Sequence, residues 1–464
     1  MSQLKFSDFN LITPIQEALT KIGYETPTPI QEATIPLVLE GLDILGIAQT
    51  GTGKTASFCL PILNHIDTKK VQRERRCPRA LILTPTRELA IQIHQNLESY
   101  GQNLPQKYSA IFGGVSQGKQ VRELKAGVDV LVATPGRLLD LINQKMLSLK
   151  NIEIFVLDEA DRMLDMGFMR DIKKILPLLP KKRHNLFFSA TMPSEIQKLA
   201  QNILDNPKKI EVTPPATTVK RIDQSVMYVD KKDKIKLLIH LLKDSKKQKT
   251  LVFVEMKHVA NKVTEKLEAS GISASAIHGN KTQNARQKAL QDFAKDKVQV
   301  LVATDIASRG IDVDGITHVI NFELSNIAES YVHRIGRTAR AGNDGAAISL
   351  VTADEKSYLV NVEKTTKQNI PVDTDQPYHS QEAQDAAISK VGKAKKKIED
   401  QRRREGKRGS GSKKKSKYSS KKFSGKRKSA SKKDSRSDGP NKTKKKSSKN
   451  FSKKKSSRRS APKR

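Results

Sequence analysis

One segment of eight residues constrains the fold of this chain more than any other. It consists of Ala48, Gln49, Thr50, Gly51, Thr52, Gly53, Lys54 and Thr55. A short apolar run, residues 43–48, precedes the glycines, and residues 56–65 follow with apolar side chains at helical spacing. A strand, a glycine-rich turn and a helix in this order are the context that a phosphate-binding loop requires. The segment therefore predicts an α/β fold that binds a polyphosphate where the helix begins.

Each residue type in this segment suits a nucleoside triphosphate with Mg²⁺. Glycines 51 and 53 allow the backbone to curl so that successive N–H groups point at the phosphates. Lys54 supplies a positive charge to the outer phosphates, and Thr55 supplies a hydroxyl for the metal. The partial positive charge at the helix N-terminus acts on the same anion. Ala48 departs from the strict pattern, which opens with glycine.

Short apolar runs alternate with helical patterns along both halves of the chain. In the first half they span residues 80–84, 109–112, 128–133, 152–157 and 185–189; in the second half 224–229, 250–254, 273–277, 298–303, 318–321 and 346–351. Such alternation predicts parallel sheets covered by helices on both faces. The second half lacks a second phosphate loop, so the sequence predicts two similar domains that share one nucleotide site. Ligands of such sheets lie beyond the carboxyl ends of the strands.

An acidic cluster follows one of these strands directly. Residues 154–157 are apolar, and Asp158, Glu159, Ala160 and Asp161 come next. A carboxylate in this place can hold Mg²⁺, directly or through water, and a second can orient or deprotonate the attacking water. We predict the first role for Asp158 and the second for Glu159.

The acidic cluster downstream of AQTGTGKT resembles the DEAD-box group of superfamily 2 RNA helicases. The stretches VLVATPGRLLDL and VLDEADRMLDMGF, together with a basic C-terminus, are similar to the bacterial RhlE branch. The resemblance implies two RecA-like domains, with ATP and Mg²⁺ as cofactors and RNA as the partner. It also implies an RNA-stimulated ATPase that binds single-stranded RNA as the domains close and thereby unwinds duplexes locally.

The resemblance implies further nucleotide-site residues. Gly23-Tyr24 and residues 27–31 resemble the adenine-reading Q motif, with Phe6 as its upstream aromatic residue. Gln31 can pair with the N6/N7 edge of adenine, and Tyr24 or Phe6 offers a ring for stacking. The remaining implied roles are the ribose contact (Asp312), the coupling of hydrolysis to unwinding (Ser189 and Thr191), the last acidic residue of the motif (Asp161) and the arginine fingers (Arg337 and Arg340). Ala339 stands where the family more often has glycine.

The implied RNA contacts lie in loops of both domains. They are Thr86, Arg87, Gly113, Gly114, Thr134, Pro135, Gly136 and Arg137 in the first domain, and Gln283, Arg286, Thr304, Arg309 and Gly310 in the second. Glycine, threonine and arginine supply close approach, hydroxyl donors and charge, which suit phosphate contacts that do not read sequence.

Charge is distributed very unevenly along the 464 residues. The segment from Val391 to the end holds 33 of the 86 Lys and Arg residues but only 5 of the 49 Asp and Glu residues. We predict an ATP-binding domain at 1–208, a linker at 209–219, a second domain at 220–373 and a basic tail at 374–464. The tail composition predicts disorder, apart from a charged helix over residues 380–404.

A flexible polycation of this kind attracts phosphate backbones without reading sequence. Nuclear localisation is a second interpretation of the lysine clusters. A membrane-surface anchor is disfavoured because no apolar face accompanies the charge. No leader-like segment or run of 18 apolar residues is seen. The two cysteines, Cys59 and Cys77, have no metal-ligand or redox spacing, which fits a reducing cytosolic compartment. We predict a cytoplasmic protein without membrane association, and we predict a monomer.

Two other functions remain open at this point. An ATP-gated RNA clamp or annealing chaperone would need the same motifs, since the basic tail alone can promote annealing. A DNA translocase of the same superfamily is not excluded by composition. Ribosome assembly and RNA decay are pathways that only the resemblance suggests.

Overall fold

The computed structural model describes residues 4–49, 51–212, 222–244, 249–305, 313, 315–339 and 344–387. These residues all belong to one compact unit that spans residues 1–404. The first-domain elements are α1 (Thr13–Lys21), α2 (Pro29–Leu39), β1 (Ile44–Ile47), α3 (Lys54–Thr68), β2 (Ala80–Leu83), α4 (Arg87–Tyr100), β3 (Tyr108–Ile111), α5 (Gly118–Ala126), β4 (Val130–Ala133), α6 (Pro135–Asn143), β5 (Ile154–Leu157), α7 (Ala160–Asp165), α8 (Met169–Ile175), β6 (His184–Ser189), α9 (Ser194–Ile203) and β7 (Lys208–Glu211). Short 3₁₀ helices span Phe6–Asp8 and Leu176–Leu178.

The first domain is a parallel sheet with strand order β3-β4-β2-β5-β6-β1-β7. Strands β2, β4 and β5 are apolar at every position because both faces of the sheet are covered. In β2, Ala80 and Ile82 pack in one core cluster while Leu81 and Leu83 pack in another on the opposite face. This period of two explains the continuous apolar runs in the sequence.

The second domain contains β8 (Ile222–Tyr228), α10 (Lys234–Asp244), β9 (Thr250–Val254), α11 (Lys257–Glu268), β10 (Ala274–Ile277), α12 (Gln283–Ala294), β11 (Val300–Thr304), β12 (His318–Asn321), α13 (Ala328–Ile335), β13 (Gly345–Val351), a 3₁₀ helix (Ala353–Glu355), α14 (Lys356–Thr366) and α15 (Gln381–Asp385). Its sheet is parallel, with strand order β10-β11-β9-β12-β13-β8. The prediction of two RecA-like α/β domains with parallel sheets is confirmed.

The strands of the two sheets are arranged in the same order, so positions in one domain have counterparts in the other. Strand β8 corresponds to β1 in this order, and the helix after it begins at Lys234, as α3 begins at Lys54. Lys234 is buried, and its Nζ donates to Oε2 of Glu355 at 2.5 Å and to the carbonyl oxygen of Phe322 at 2.7 Å. In the second domain, the lysine at this place is therefore neutralised from within the domain.

Two predicted boundaries need adjustment, namely the end of the first domain and the end of the second. Residues 208–211 form strand β7, which pairs with β1, so the first sheet continues into the segment predicted as a linker from residue 209. Only Ile210 of this strand is buried, which explains why the strand has no apolar signature. The remainder of the predicted linker, residues 213–219, lies outside the described residues.

The second domain also continues past residue 373, into the segment predicted as tail. His379 forms a bridge with Val229, and Gln376 donates to the carbonyl oxygen of Tyr228 at 3.1 Å. Within the described part of the predicted helix 380–404, up to residue 387, the structure contains α15, whose buried residue is Ala383. Lys356 caps the end of this segment by donating to the carbonyl oxygens of Gln384 and Ala386. Residues from 388 onward lie outside the described part of the chain.

Among the described residues, no helix is both long enough and apolar enough to cross a membrane.

Candidate active site

The phosphate loop curls back on itself at the start of α3. Gly51 and Gly53 have φ angles of 85° and 95°, a region that favours glycine. Lys54 is buried, and its Nζ donates to the carbonyl oxygen of Ala48 at 2.8 Å. Thr52 Oγ1 donates to the carbonyl oxygen of Gln49 at 2.8 Å. The lysine thus points across the loop, while Thr50 lies outside the described residues.

The Q-motif segment packs directly against this loop. Gln31 accepts a hydrogen bond from the backbone N–H of Thr28 at 2.8 Å and donates to the carbonyl oxygen of Gly53 at 3.1 Å. Thr28 Oγ1 donates to the carbonyl oxygen of Thr52 at 2.7 Å. A Cβ at position 53 would collide with the Gln31 side chain, so glycine is required there for space as well as for φ. Adenine recognition by Gln31 stays a prediction, and the observed contacts support the loop.

The two aromatic residues predicted to stack on the base differ in exposure. The rings of Phe6 and Tyr24 are adjacent, with centroids 5.8 Å apart. Phe6 is only 4 % exposed and packs in the first-domain core, whereas Tyr24 is 38 % exposed. Of the pair, Tyr24 therefore presents the larger free ring surface.

Asp158 offers a carboxylate oxygen suited to the predicted Mg²⁺ site, and Thr55, the other predicted ligand, is the second residue of α3. Asp158 is buried at the carboxyl end of β5, and its Oδ1 has no hydrogen-bond partner among the described residues. Burial and, to a smaller extent, Glu159 raise the pKa of Asp158, and although Lys54 and Arg162 oppose this change, the resulting pKa is about 7. A divalent cation would satisfy this oxygen and favour its charge. The described residues contain no group of three or more His, Cys, Asp or Glu side chains that could hold a metal ion.

Asp161 joins the acidic motif to the Ser189–Thr191 segment. Its Oδ2 accepts from the backbone N–H of Thr191 at 2.9 Å and from Oγ1 of Thr191 at 3.0 Å. Ser189 Oγ in turn donates to the carbonyl oxygen of Thr191 at 2.8 Å and accepts from the backbone N–H of Asp161 at 3.2 Å. Burial raises the pKa of Asp161, but Lys54, Thr191, Arg162 and His333 outweigh this effect and lower it.

Glu159 occupies a strained position before α7. Its φ is 54°, in the left-handed region, and its Oε2 forms a 2.8 Å ion pair with Arg162 NH1. Both side chains are buried, so neither charge is compensated by bulk water. The pair fixes the direction of the Glu159 carboxylate.

A cavity of about 440 Å³ lies where the two domains meet. The first domain contributes Asp161 and Thr191 to its wall, and the second contributes His333, Arg334 and Arg337. Arg337 is buried in this arrangement. The predicted partner finger, Arg340, and the predicted ribose contact, Asp312, lie outside the described residues.

Arg334 organises the second-domain side of this cavity. Its guanidinium makes two bonds to Asp305, at 2.6 and 2.7 Å, and donates to the carbonyl oxygen of Glu323 at 2.6 Å. It also lies 5.1 Å from the centre of the Phe253 ring. Ala339, two residues after Arg337, has a φ of 55° and therefore adopts the conformation for which glycine is better suited.

The described candidate RNA residues lie at the carboxyl ends of the strands, in loops and in the first turns of the helices that follow them. Thr86 caps α4 by accepting from the backbone N–H of Leu89, and the guanidinium of Arg87 lies against Gly114. Arg137 donates to Gln120 Oε1 and to the carbonyl oxygen of Val115, both at 3.1 Å. The other predicted residues described in this region are the loop glycine Gly113, the first residues of α6 with its N-cap (Thr134, Pro135, Gly136) and the last residue of β11 (Thr304). Arg309 and Gly310 lie outside the described residues.

Comparison with known proteins identifies the family. Residues 28–199 match the DEAD/DEAH box helicase family, and residues 233–342 match the helicase conserved C-terminal domain. The chain is 42% identical over 367 residues to the DEAD-box ATP-dependent RNA helicase CshA of Bacillus subtilis strain 168, an alignment that covers 79% of this chain and 73% of the relative. The chain belongs to the DEAD-box RNA helicase family.

Two further comparisons agree with this membership. The ATP-dependent RNA helicase CshA of Listeria monocytogenes is 43% identical over 366 residues, covering 79% of this chain and 69% of the relative. The solved structure of Saccharomyces cerevisiae Dbp5 bound to RNA and ADP BeF3 superposes with a TM-score of 0.71 at 29% identity, covering 86% of this chain and 100% of that chain.

Several residues that shape this DEAD-box helicase site were not singled out from the sequence. Arg162 and Arg334 hold predicted site segments, and Glu88 contacts Gln283 and Arg286 of the other domain. Arg162 lies in the stretch VLDEADRMLDMGF and Arg334 lies three residues before Arg337, so the motifs could have indicated both. The contacts of Glu88 carry no local signal, because its partners are 195 and more residues away.

Proposed function

We propose that this DEAD-box helicase hydrolyses ATP at the seam between its two domains and uses closure of that seam to grip and locally unwind RNA. The observation that supports this most directly is the shared cavity, in which Asp161 and Thr191 face His333 and Arg337. The residues proposed to couple hydrolysis to unwinding come from the first domain, and the proposed arginine finger comes from the second, so the site is complete only when both domains contribute. ATP and RNA affinities must then be linked reciprocally.

In this proposal the first domain binds and orients the triphosphate. Lys54 leaves the Ala48 carbonyl oxygen to contact the outer phosphates, while the N–H groups around Gly51 and Gly53 bind them from the loop. Gln31 and Tyr24 select and stack the adenine. Bound Mg²⁺, held by Thr55 and Asp158, would neutralise phosphate charge as the bond to the leaving group breaks.

The remaining catalytic roles fall on residues at the seam. Glu159, oriented by Arg162, accepts a proton from the attacking water, and Arg337 with Arg340 stabilises charge on the transferred phosphate. The hydrogen bonds among Asp161, Ser189 and Thr191 couple ATP hydrolysis at this site to RNA unwinding. The roles of Arg340, Asp312 and Thr50 are supported by the sequence motifs alone.

RNA is proposed to bind across both domains through phosphate and sugar contacts. The first domain would supply Thr86, Arg87 and the loops at 113–114 and 134–137; the second would supply Gln283, Arg286, Thr304, Arg309 and Gly310. Contacts of this type position a strand without reading its sequence. A strand bent by these loops cannot remain paired with a straight partner, so local unwinding follows.

The same proposal includes the branch of the family, the cellular location and the pathway. Membership of the RhlE branch is supported by the stretches VLVATPGRLLDL and VLDEADRMLDMGF and by the basic C-terminus, whereas the relatives compared above bear the name CshA. The two cysteines are both unpaired, which supports a reducing, cytoplasmic location. We also propose that the protein is a monomer that acts in ribosome assembly or RNA decay and attaches to RNA through its basic tail.

A strand-displacement assay on the full chain tests the proposal. With ATP and Mg²⁺ we expect release of one strand from a short RNA duplex, and ATP turnover that RNA stimulates more than DNA of the same sequence. Strand annealing without ATP-dependent displacement would favour the RNA clamp or annealing chaperone instead. Equal stimulation by DNA would favour the translocase.

A further inference from the structure

A cavity of about 780 Å³ lies at the edge of the first sheet where its strands begin. It is lined by Asp43, Glu153 and His184, which stand at the starts of β1, β5 and β6, and by His65 in the last turn of α3. Because the sheet is parallel, this edge is opposite to the edge that carries the phosphate loop and the acidic motif. None of the residues predicted for the nucleotide or RNA sites lines this cavity, which we call the amino-edge cavity.

The elements around the amino-edge cavity carry the nucleotide motifs at their other ends. Strand β1 leads to Ala48, β5 leads to Asp158, β6 ends at Ser189, and α3 begins at Lys54. The cavity is larger than the 440 Å³ cavity between the domains. A ligand in the amino-edge cavity would therefore contact the far ends of four elements that build the proposed ATP site.

Arg183 gives the wall of this cavity a cation with unused hydrogen-bonding capacity. Its NH1 donates to the carbonyl oxygen of Pro180 at 2.7 Å, and the centre of its guanidinium lies 5.9 Å from the centre of the Phe155 ring. Its Nε is buried and has no hydrogen-bond partner among the described residues. Burial lowers the pKa of Arg183, and Asp43 opposes this effect. An N–H group without an acceptor is unfavourable in this setting, and a change of side-chain rotamer would bring it to a ligand oxygen.

Three lysines add positive charge around the same cavity. Lys69 at the end of α3 and Lys182 in the loop before β6 are exposed. Lys150, before β5, has a side chain that is 59 % exposed and forms an ion pair with Glu74 at 2.7 Å. Lysine binds phosphate as a mobile point charge, whereas arginine binds it through a planar fork of donors. The lining therefore offers both kinds of phosphate contact.

The acidic residues of the lining are largely engaged within the domain. Asp43 accepts from the backbone N–H groups of Asn185 at 2.7 Å and of Asp205 at 2.8 Å. Glu153 forms an ion pair with Arg79 at 2.5 Å. The third acidic residue, Asp205, is exposed, so water and salt screen its charge. The charge that remains available to a ligand is mainly positive.

We propose that the amino-edge cavity binds a small phosphorylated molecule that also has an apolar part. Arg183 and Lys182 would contact the phosphate, with Lys69 and Lys150 adding to the positive potential. The apolar part would pack on the aliphatic side chains of the lining, which include Val38, Leu39, Leu42, Pro61 and Ile152. The volume lies within the range of about 300–1,000 Å³ that is usual for small-molecule sites. This inference is independent of the proposed helicase function.

The test follows amide hydrogen exchange of the full chain with phenyl phosphate as the probe and with ADP and Mg²⁺ at saturating concentration. ADP prevents the probe from binding to the phosphate loop, and exchange resolved by segment separates this cavity from unspecific binding to the basic tail. We expect slower exchange in residues 64–69 and 181–184, half-complete at about 1 mM phenyl phosphate or less. Phthalate has the same ring and charge but carboxylate groups, and inorganic phosphate lacks the ring. Each should bind at least about fivefold more weakly.

Substitutions in the lining identify the contacts. Arg183→Ala should weaken binding of phenyl phosphate by about tenfold or more, and Arg183→Lys by less, because a charge remains but the fork of donors is lost. Lys182→Glu reverses an exposed charge without disturbing the core and should weaken binding by about threefold or more. Arg170→Ala is the matched control, since Arg170 is exposed on α8 of the same domain and does not line the cavity. Thermal unfolding establishes that each variant is folded.

Several results would overturn the inference. Unchanged exchange in both segments up to about 10 mM phenyl phosphate would remove the site. Affinity that Lys182→Glu and the folded Arg183 variants leave at the wild-type value would mean that the probe binds elsewhere. Equal affinity for phthalate would reject the phosphate, and equal affinity for inorganic phosphate would reject the apolar part.

Discussion

Thr191 holds Asp161 with two hydrogen bonds to the same oxygen, one from its backbone N–H at 2.9 Å and one from its hydroxyl at 3.0 Å. The acidic motif and the Ser189–Thr191 segment are therefore connected through one carboxylate at the wall of the interdomain cavity. A substitution at Thr191 can remove half of this connection and leave the other half.

Thr191→Val keeps the backbone bond and the side-chain shape but removes the hydroxyl. If the hydroxyl transmits the state of the nucleotide, strand displacement should fall by about tenfold while RNA-stimulated ATP turnover stays within about threefold. Both rates are measured on the same protein preparation. Equal losses in the two rates would show that Thr191 serves hydrolysis and not coupling.

Lys54→Ala and Glu159→Gln should separate ATP binding from ATP hydrolysis. Removing the Lys54 charge should weaken ATP binding by about 10- to 100-fold, because a charge-assisted contact to the phosphates is lost. Glu159→Gln is isosteric and should leave ATP affinity within a few-fold while kcat falls by about 100-fold or more. Equilibrium binding of a fluorescent ATP analogue and steady-state turnover give the two quantities. Wild-type turnover in Glu159→Gln would remove Glu159 from its proposed role.

Ala339 adopts a left-handed backbone conformation with φ of 55°, and it is buried. Ala339→Val should lower the free energy of unfolding by about 1–2 kcal/mol, because a β-branched residue fits this conformation poorly. Ala339→Gly should change it by less than about 1 kcal/mol, since relief of backbone strain is offset by a lost methyl contact and a more flexible unfolded chain. Urea unfolding measures both. A Val variant as stable as the wild type would contradict this account.

The ion pairs of Glu153 should make the stability of the protein depend on pH. Oε1 of Glu153 accepts a hydrogen bond from Nε of Arg79 at 2.5 Å, and its Oε2 lies 2.9 Å from Nε2 of His65. Burial raises its pKa, but the bonds to His65 and Arg79 prevail and lower it from 4.5 to about 2. The stabilisation that follows is present above pH 4.5 and is lost as the pH falls towards 2.

Glu153→Gln should therefore cost about 1–2 kcal/mol at pH 7, a value reduced for partial exposure, and the difference from the wild type should shrink below pH 4.5. Glu74→Gln is the control, because Glu74 forms a solvent-exposed pair with Lys150 at 2.7 Å and should have a smaller effect. Thermal unfolding across this pH range provides the comparison. A constant difference from pH 7 to 3 would refute the assigned cause.

The strands and the phosphate loop could be predicted because their signals are local. A buried parallel strand requires an apolar run such as residues 80–83, and the loop requires glycines before Lys54. Strand β7 could not be predicted in this way, since it exposes Lys208, Lys209 and Glu211 and buries only Ile210. Residues 374–387 were interpreted as tail because their composition is polar, although their few buried side chains secure them to the second domain.

Site residues were predictable to different degrees for the same reason. Asp158 and Asp161 follow a strand, so topology alone directs them to the ligand edge of the sheet. The contacts of Gln31 with Thr28 and Gly53 depend on how α2 packs against the loop, which the sequence does not specify. Glu88 is the extreme case, because its interdomain contacts exist only in the assembled pair of domains.

Lys234 occupies in the second domain the place that Lys54 occupies in the first, and Glu355 already neutralises it. An ammonium group with a permanent counter-ion has no charge to offer a triphosphate. We therefore expect this chain to bind one nucleotide, held by the first domain, and we expect the second domain to contact that nucleotide rather than to bind its own.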